Sequence, residues 1–205
     1  IYLAEQIKPK GQSCPPELGD VRGAASRYGG VASLYGSIVK FPPSGGVFSF
    51  GGKIVPPAGA PQARPAPGAA TTECIYSWKS GRDLPCKVTG AEWVRMGVSH
   101  IENSGCTCEN TRFDVDEFGR VFYPDLCRFR VGVLDTAGNE ITHFGGYGNA
   151  DSAGPKSAVP EPEIALSWLV GVAVTDRCAY MGDTLARRLL RAKLVYAAEE
   201  TCGVK

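Results

Sequence analysis

Between residues 111 and 149 apolar side chains fall at alternate positions in short runs broken by glycine-bearing turns, a period of two that suits strands and not helices. Phe113 and Val115 alternate with Asp114 and Asp116, Glu117-Phe118-Gly119-Arg120 supplies a turn, and Val121-Phe122-Tyr123 begins the next run. Beyond Pro124-Asp125, the residues Phe129, Val131 and Val133 alternate with Arg128, Arg130 and Gly132. Thr136-Ala137-Gly138-Asn139 then turns the chain into Glu140-Ile141-Thr142-His143-Phe144. The spacing predicts four short strands in one antiparallel sheet. With 26 Gly and 15 Pro among 205 residues, many short strands joined by turns are favoured over a helical bundle, so the expected class is all-β.

The same plan recurs. Leu169 to Val174 is followed by a turn at Thr175-Asp176-Arg177 and by Cys178-Ala179-Tyr180-Met181. Asp183 then stands five positions before Arg188, as Asp125 stands before Arg130, and Leu190, Ala192 and Leu194 alternate with Arg191 and Lys193. Propensity alone would make the Leu-, Ala-, Arg- and Glu-rich stretch 185–200 a helix capped by Asp183 or Thr184. Basic residues at every second position, together with the repeat offset, predict a strand instead. A third, partial copy is expected at the start. Ile1-Tyr2-Leu3-Ala4-Glu5 is set beside Val121 to Asp125. After a long insertion, Ser37 to Phe41, a turn at Pro42-Pro43-Ser44-Gly45-Gly46 and Val47 to Gly52 are set beside Val131 to Gly146.

Four strands in about 40 residues is the content of one propeller blade. At this level the repeat resembles the NHL-repeat family of β-propellers. It carries that resemblance on Gly119-Arg120-Val121-Phe122-Tyr123 with Asp125, Arg130 and Phe144-Gly145, and again on Tyr180, Asp183 and Arg188. The family's Gly-Asn-His between Asp and Arg is replaced here by Leu126-Cys127-Arg128-Phe129 and Thr184-Leu185-Ala186-Arg187, so the likeness lies in spacing. It implies four-stranded antiparallel blades. Asp125, Arg130, Asp183 and Arg188 are expected to serve structure: an Asp at a strand end accepts N–H groups of the following turn, and an Arg one strand over pairs with a carboxylate. About two and a half blades do not close a ring of about four to eight. The chain is therefore expected to form an incomplete propeller, a segment of a longer exported protein or a processed piece whose remaining blades lie on another polypeptide.

The divisions follow from composition. Residues 1–55 read as a partial blade with a long insertion, and 56–110 as a Pro/Ala/Gly-rich linker followed by a cysteine-bearing insertion. The NHL-like blades are 111–149 and 150–205, the latter starting in a second Pro-rich loop. Eight cysteines, Cys14, Cys74, Cys86, Cys106, Cys108, Cys127, Cys178 and Cys202, carry no haem-attachment motif. Read as disulfides, they imply an oxidising compartment, extracellular or periplasmic, with insertions held to the blades. They allow on the order of a hundred pairings, and the sequence selects none. The metal alternative is thiolate ligation of copper or zinc by Cys106 and Cys108 with His100 nearby, although a single spacer is unusual for zinc.

The balance of 22 Lys and Arg against 21 Asp and Glu offers no basic patch for nucleic acid. No apolar run approaches the roughly 20 residues of a membrane helix, and IYLAEQ lacks the pattern of a signal peptide. There is no HExxH, GxSxG, P-loop or Rossmann fingerprint, and the glycines of 145–149 suit a turn. His143, beside Phe144, reads as a strand residue. Asp114/Asp116 and Glu161/Glu163, two apart, would share a strand face and could bind calcium, or line a solvated edge. Trp78 and Trp93 in the insertion are candidate contact residues for a partner, whereas Trp168 suits a core. The expected function is a non-enzymatic scaffold that binds a protein partner or further blades, with no cofactor. The alternative is a metal-dependent propeller lactonase or lyase, or a redox unit at Cys106 and Cys108.

Overall fold

The computed structural model describes residues 1–11, 36–50, 58–59, 65–77, 83–98, 111–148, 157–158 and 160–195. Among them the chain is all-β. In the first half, strands β1 (Tyr2–Glu5), β2 (Ile7–Lys8), β3 (Gly36–Lys40) and β4 (Val47–Phe50) are followed by β5 (Thr71–Ser77), β6 (Asp83–Thr89) and β7 (Trp93–Val98). The central stretch holds β8 (Asp114–Val115), β9 (Val121–Asp125), β10 (Arg130–Leu134), β11 (Glu140–Phe144) and β12 (Gly146–Tyr147). The last part adds β13 (Ala165–Leu166), β14 (Leu169–Val174), β15 (Cys178–Asp183) and β16 (Arg188–Lys193).

Residues 111–144 fold as expected into a single antiparallel sheet ordered β11-β10-β9-β8, after which β12 leaves it to pair in parallel with β13. Its two tight turns are alike. In Asp116-Glu117-Phe118-Gly119-Arg120 and Asp135-Thr136-Ala137-Gly138-Asn139 the leading carboxylate accepts the amides two and four residues on, at 2.8–3.0 Å. Glycine takes the left-handed position in both, with φ of 75° and 84°. The last stretch forms a three-stranded antiparallel sheet, β14-β15-β16, and Arg188–Lys193 is strand rather than helix. Propensity loses here because Leu190 and Ala192 point into the apolar core beneath the sheet, which only a period of two achieves.

The sheets stack face to face, because strands such as β3 and β9 carry apolar residues on both faces. In β9, Val121 and Tyr123 face the β1-β3-β7 sheet, meeting Ile38 and Val98, while Phe122 faces the other way, to Leu169, Val172 and Met181. In β3, Ile38 points toward β9 while Val39 joins Ile7, Cys74, Cys86 and Val88 of the β2-β5-β6-β4 sheet. Each fully buried aliphatic side chain contributes roughly 1.5–3 kcal/mol, so these three interfaces carry the fold. Contact is closest where an aromatic ring lies over glycine. Gly132 is the cross-strand partner of Tyr123, and a Cβ there would lie 2.2 Å from the ring Cζ. Gly138 stands against the Trp93 ring, whose indole N–H donates to the Thr136 carbonyl at 2.9 Å.

Two expectations for the first half are corrected. Val47–Phe50 does form a strand after the Pro42–Gly46 turn, but it does not pair with β3; it lies beside β6 in the neighbouring sheet. The place beside β3, where β11 lies beside β10, is taken by β7, with Val39 opposite Val94. The stretch read as linker and insertion therefore supplies three strands. β7 wins the position because Trp93 spans from β3 to the Thr136 turn of the next sheet, whereas Phe48 packs against Phe41, ring centroids 5.8 Å apart, in the interface on the opposite side of β3.

Candidate functional site

β9 ends in Asp125 and β15 in Asp183, and in each case the next strand opens with arginine as the cross-strand partner, Arg130 and Arg188. The intervening residues make the same reversal from different sequences. Phe129 and Arg187, each just before the arginine, are left-handed with φ of 54° and 50°. A non-glycine residue adopts that conformation at a cost of about 1–2 kcal/mol, so something must hold the turn shut. The carboxylates supply it. Asp125, fully buried, accepts Arg128 Nη1 at 3.0 and 3.1 Å and Arg130 Nε at 2.8 Å. Asp183, also fully buried, accepts the amides of Ser167 at 3.0 Å and Trp168 at 2.9 Å, the Ser167 hydroxyl at 3.0 Å and Arg188 Nη2 at 3.3 Å. Arg188 also donates to the Ala165 carbonyl. Burial pushes the Asp183 carboxyl up, but the Trp168 and Ser167 donors outweigh it and hold the group below the usual carboxylate range.

Around Asp125 the charges extend into a network that sequence reasoning missed. Glu140 of β11 is approached by Arg130 Nη2 at 3.2 Å, His143 Nδ1 at 3.3 Å, Arg95 Nη2 of β7 at 3.6 Å and the Tyr123 hydroxyl, which donates at 3.3 Å. Burial, then the charges of Asp125 and Glu140, raise the Tyr123 phenol above its ordinary value. Three guanidinium groups face two carboxylates, and the groups neutralise one another while joining β7, β9, β10 and β11. His143 thus belongs to an ion network at a strand edge. The missed signal was cross-strand: Glu140 directly follows the Asp135–Asn139 turn and lies opposite Leu134, so only the folded sheet lets the Arg130 side chain reach it.

The other expected residues separate. Asp114 and Asp116 do not present a shared pair of free carboxylates: Asp114 accepts the Val174 amide of the neighbouring sheet at 2.8 Å, and Asp116 closes its own turn and binds Arg120 Nε at 2.7 Å. Glu161 and Glu163 are both exposed. Trp93, half-buried, packs between two sheets, with Tyr2 at 6.0 Å edge to face. Trp78, Cys14, Cys106, Cys108, Cys202 and His100 lie outside the described residues, as does the Cys127 side chain. Among the described cysteines, Cys74, Cys86 and Cys178 are thiols. Cys74 and Cys86 are cross-strand partners, close enough for one thiol to donate a hydrogen bond to the other. That bond eases ionisation of Cys74 against the opposing effect of burial, and raises the Cys86 thiol, whose own burial acts the same way.

The largest apolar exposure is on the final sheet. Its inner face, Leu169, Val172 and Met181, packs on Phe122, Val131 and Val133. Its outer face mixes Tyr180 and Leu189, the latter 85% exposed, with the basic residues Arg191 and Lys193, and Leu185 is 68% exposed in the turn beside them. β16 pairs with β15 alone, so among the described residues the counterpart of β11 is missing and the edge of β16 is open. Beside that edge a groove of about 270 Å³ is lined by Phe122, Val133, Phe144, Ile164 and Leu194. Isolated exposed leucines are ordinary; an unpaired strand edge beside exposed apolar side chains is a surface against which another element can pack. No helix among the described residues is long and apolar enough to cross a membrane. No family model matches the chain, and no curated protein matches it.

Proposed function

We propose that the chain is a run of NHL-like propeller blades in an exported protein, a non-enzymatic scaffold whose open face receives further blades that complete the ring. The reading is supported above all by the final sheet, which is buried on the face toward its predecessor and exposes Tyr180 and Leu189 among Arg191 and Lys193 on the other, with Leu185 exposed in the adjoining turn. Each earlier junction joins two sheets through such a face, so the expected occupant is another four-stranded sheet with an apolar surface. The Asp125–Arg130 and Asp183–Arg188 hairpins serve this scaffold by holding the blade turns. Loops at the strand ends are then the places where a protein partner would be recognised.

Native mass spectrometry with sedimentation velocity tests the reading on the full chain. Without its neighbouring blades the chain should associate through the open face into species heavier than 21.7 kDa, and Leu189→Glu should return it to the monomer. A chain that stays monomeric across the concentration range and binds no apolar dye would refute the open face. Stoichiometric copper, zinc or calcium by elemental analysis would favour the enzymatic alternative.

A further inference from the structure

The cysteine pair on β5 and β6 carries a second conclusion, independent of whether the sheets belong to a propeller. Cys74 and Cys86 sit directly opposite one another in the β5–β6 register, between the pairs Glu73–Lys87 and Ile75–Pro85. Both are 3% exposed and both point to the same interior, where they pack with Ile7, Val39, Phe41 and Val88. Opposed positions in an antiparallel pair hold their Cα atoms about 4.5–5.5 Å apart, within the range a disulfide spans. The third described thiol, Cys178, lies on a different sheet and has Lys193 opposite it. We infer that Cys74 and Cys86 are a redox pair that closes to a cross-strand disulfide by exchange with a disulfide-bearing oxidant, the structure describing its dithiol form.

The exchange balances without any other reagent. The Cys74 sulfur, as thiolate, attacks one sulfur of the oxidant and releases the first oxidant thiol, leaving a mixed disulfide on Cys74. The Cys86 sulfur then attacks the Cys74 sulfur and releases the second oxidant thiol. Two protein protons and two electrons leave with the two thiols, and one protein S–S bond remains. Either sulfur can attack first, since in each case the S–H group of its cross-strand neighbour can donate to the thiolate. The timing follows from topology. β5 and β6 are consecutive strands, so their pairing is local and can form before β3 and β2 cover the sulfurs. Once covered, the bond is shielded from reductant by the same apolar side chains that hide the thiols.

Non-reducing peptide mapping of the full chain, folded in a buffer of reduced and oxidised glutathione, tests this directly. The expected result is a single linked peptide pair joining Cys74 to Cys86. In the absence of denaturant, reduction by dithiothreitol should be roughly tenfold or more slower than in its presence, because reagent access requires opening of the sheet. Two results would overturn the inference: alkylation of both cysteines as free thiols after oxidative folding, or linkage of either one to a different cysteine. The mapping needs no variant, so a substitution that impairs folding does not obscure the answer. A Cys86→Ser chain serves as the control, and there Cys74 should appear only as a free or glutathione-capped thiol.

Discussion

Replacing Asp183 with alanine removes one carboxylate that serves three backbone amides, of Ser167, Trp168 and Ala186, a hydroxyl and a guanidinium at once. The amides of Ser167 and Trp168 have no water to turn to beside a fully buried group. Each buried donor left without an acceptor costs about 1–3 kcal/mol. Arg188 is more exposed and regains hydration, so its contribution is the smaller one. Together the loss comes to about 3–5 kcal/mol, the range for breaking a buried pair from one side. With a urea dependence of about 2 kcal/mol per molar, the unfolding midpoint should drop by roughly 1.5–2.5 M. Asp183→Asn keeps an acceptor but places an amide donor against other donors, and should fall between the alanine variant and the parent. Asp176→Ala, an exposed carboxylate 3.6 Å from Arg177, is the control and should change stability by less than about 0.5 kcal/mol. If the Asp183 and Asp176 variants unfolded within about 1 kcal/mol of each other, the assignment of Asp183 as the tie between the β13–β14 connection and the β15–β16 turn would be wrong.

Acid should destabilise the chain in part through the same group. Because the folded pKa of Asp183 is depressed, its contribution is complete above about pH 4, where unfolded aspartate ionises, and is lost as pH falls through the lower folded value. Urea midpoints measured from neutral to acid pH should therefore converge for the parent and Asp183→Asn; a gap that stays constant or widens on acidification contradicts this. Gly132→Ala forces a methyl to 2.2 Å from the Tyr123 ring, so the buried ring must move, at about 1–3 kcal/mol and a thermal midpoint lower by roughly 3–10 °C. An unchanged midpoint would mean that the Tyr123–Gly132 contact is not close in solution.

How much of this was legible in the sequence depends on how local each decision was. Alternation in Phe113–Val115, Val121–Tyr123 and Val131–Val133, with glycine at the turns, sufficed to place the central sheet, although Phe129, read with that alternation, belongs to the preceding turn. The recurrence of an aspartate five residues before an arginine sufficed to make 188–193 a strand against its helix propensity. Side-chain period and turn chemistry are properties of neighbouring residues, and a chain carries them before it folds. Long-range competition is different. Val47–Phe50 and Trp93–Val98 are both acceptable strands, and nothing within either tells which lies beside β3; Trp93 reaching Thr136 and Phe48 reaching Phe41 decided it. The gathering of Arg95, Arg130 and His143 on Glu140, and the facing of Cys74 to Cys86, likewise required the sheet register to be known. Sequence by itself determined the strands and turns of 111–144 and 169–193, whereas β5, β6 and β7, in the stretch read as linker and insertion, emerged only in the structure. Tertiary structure alone decided which strands are neighbours, because pairing is settled by contacts between residues far apart along the chain, each worth only a few kcal/mol and none encoded in a single segment.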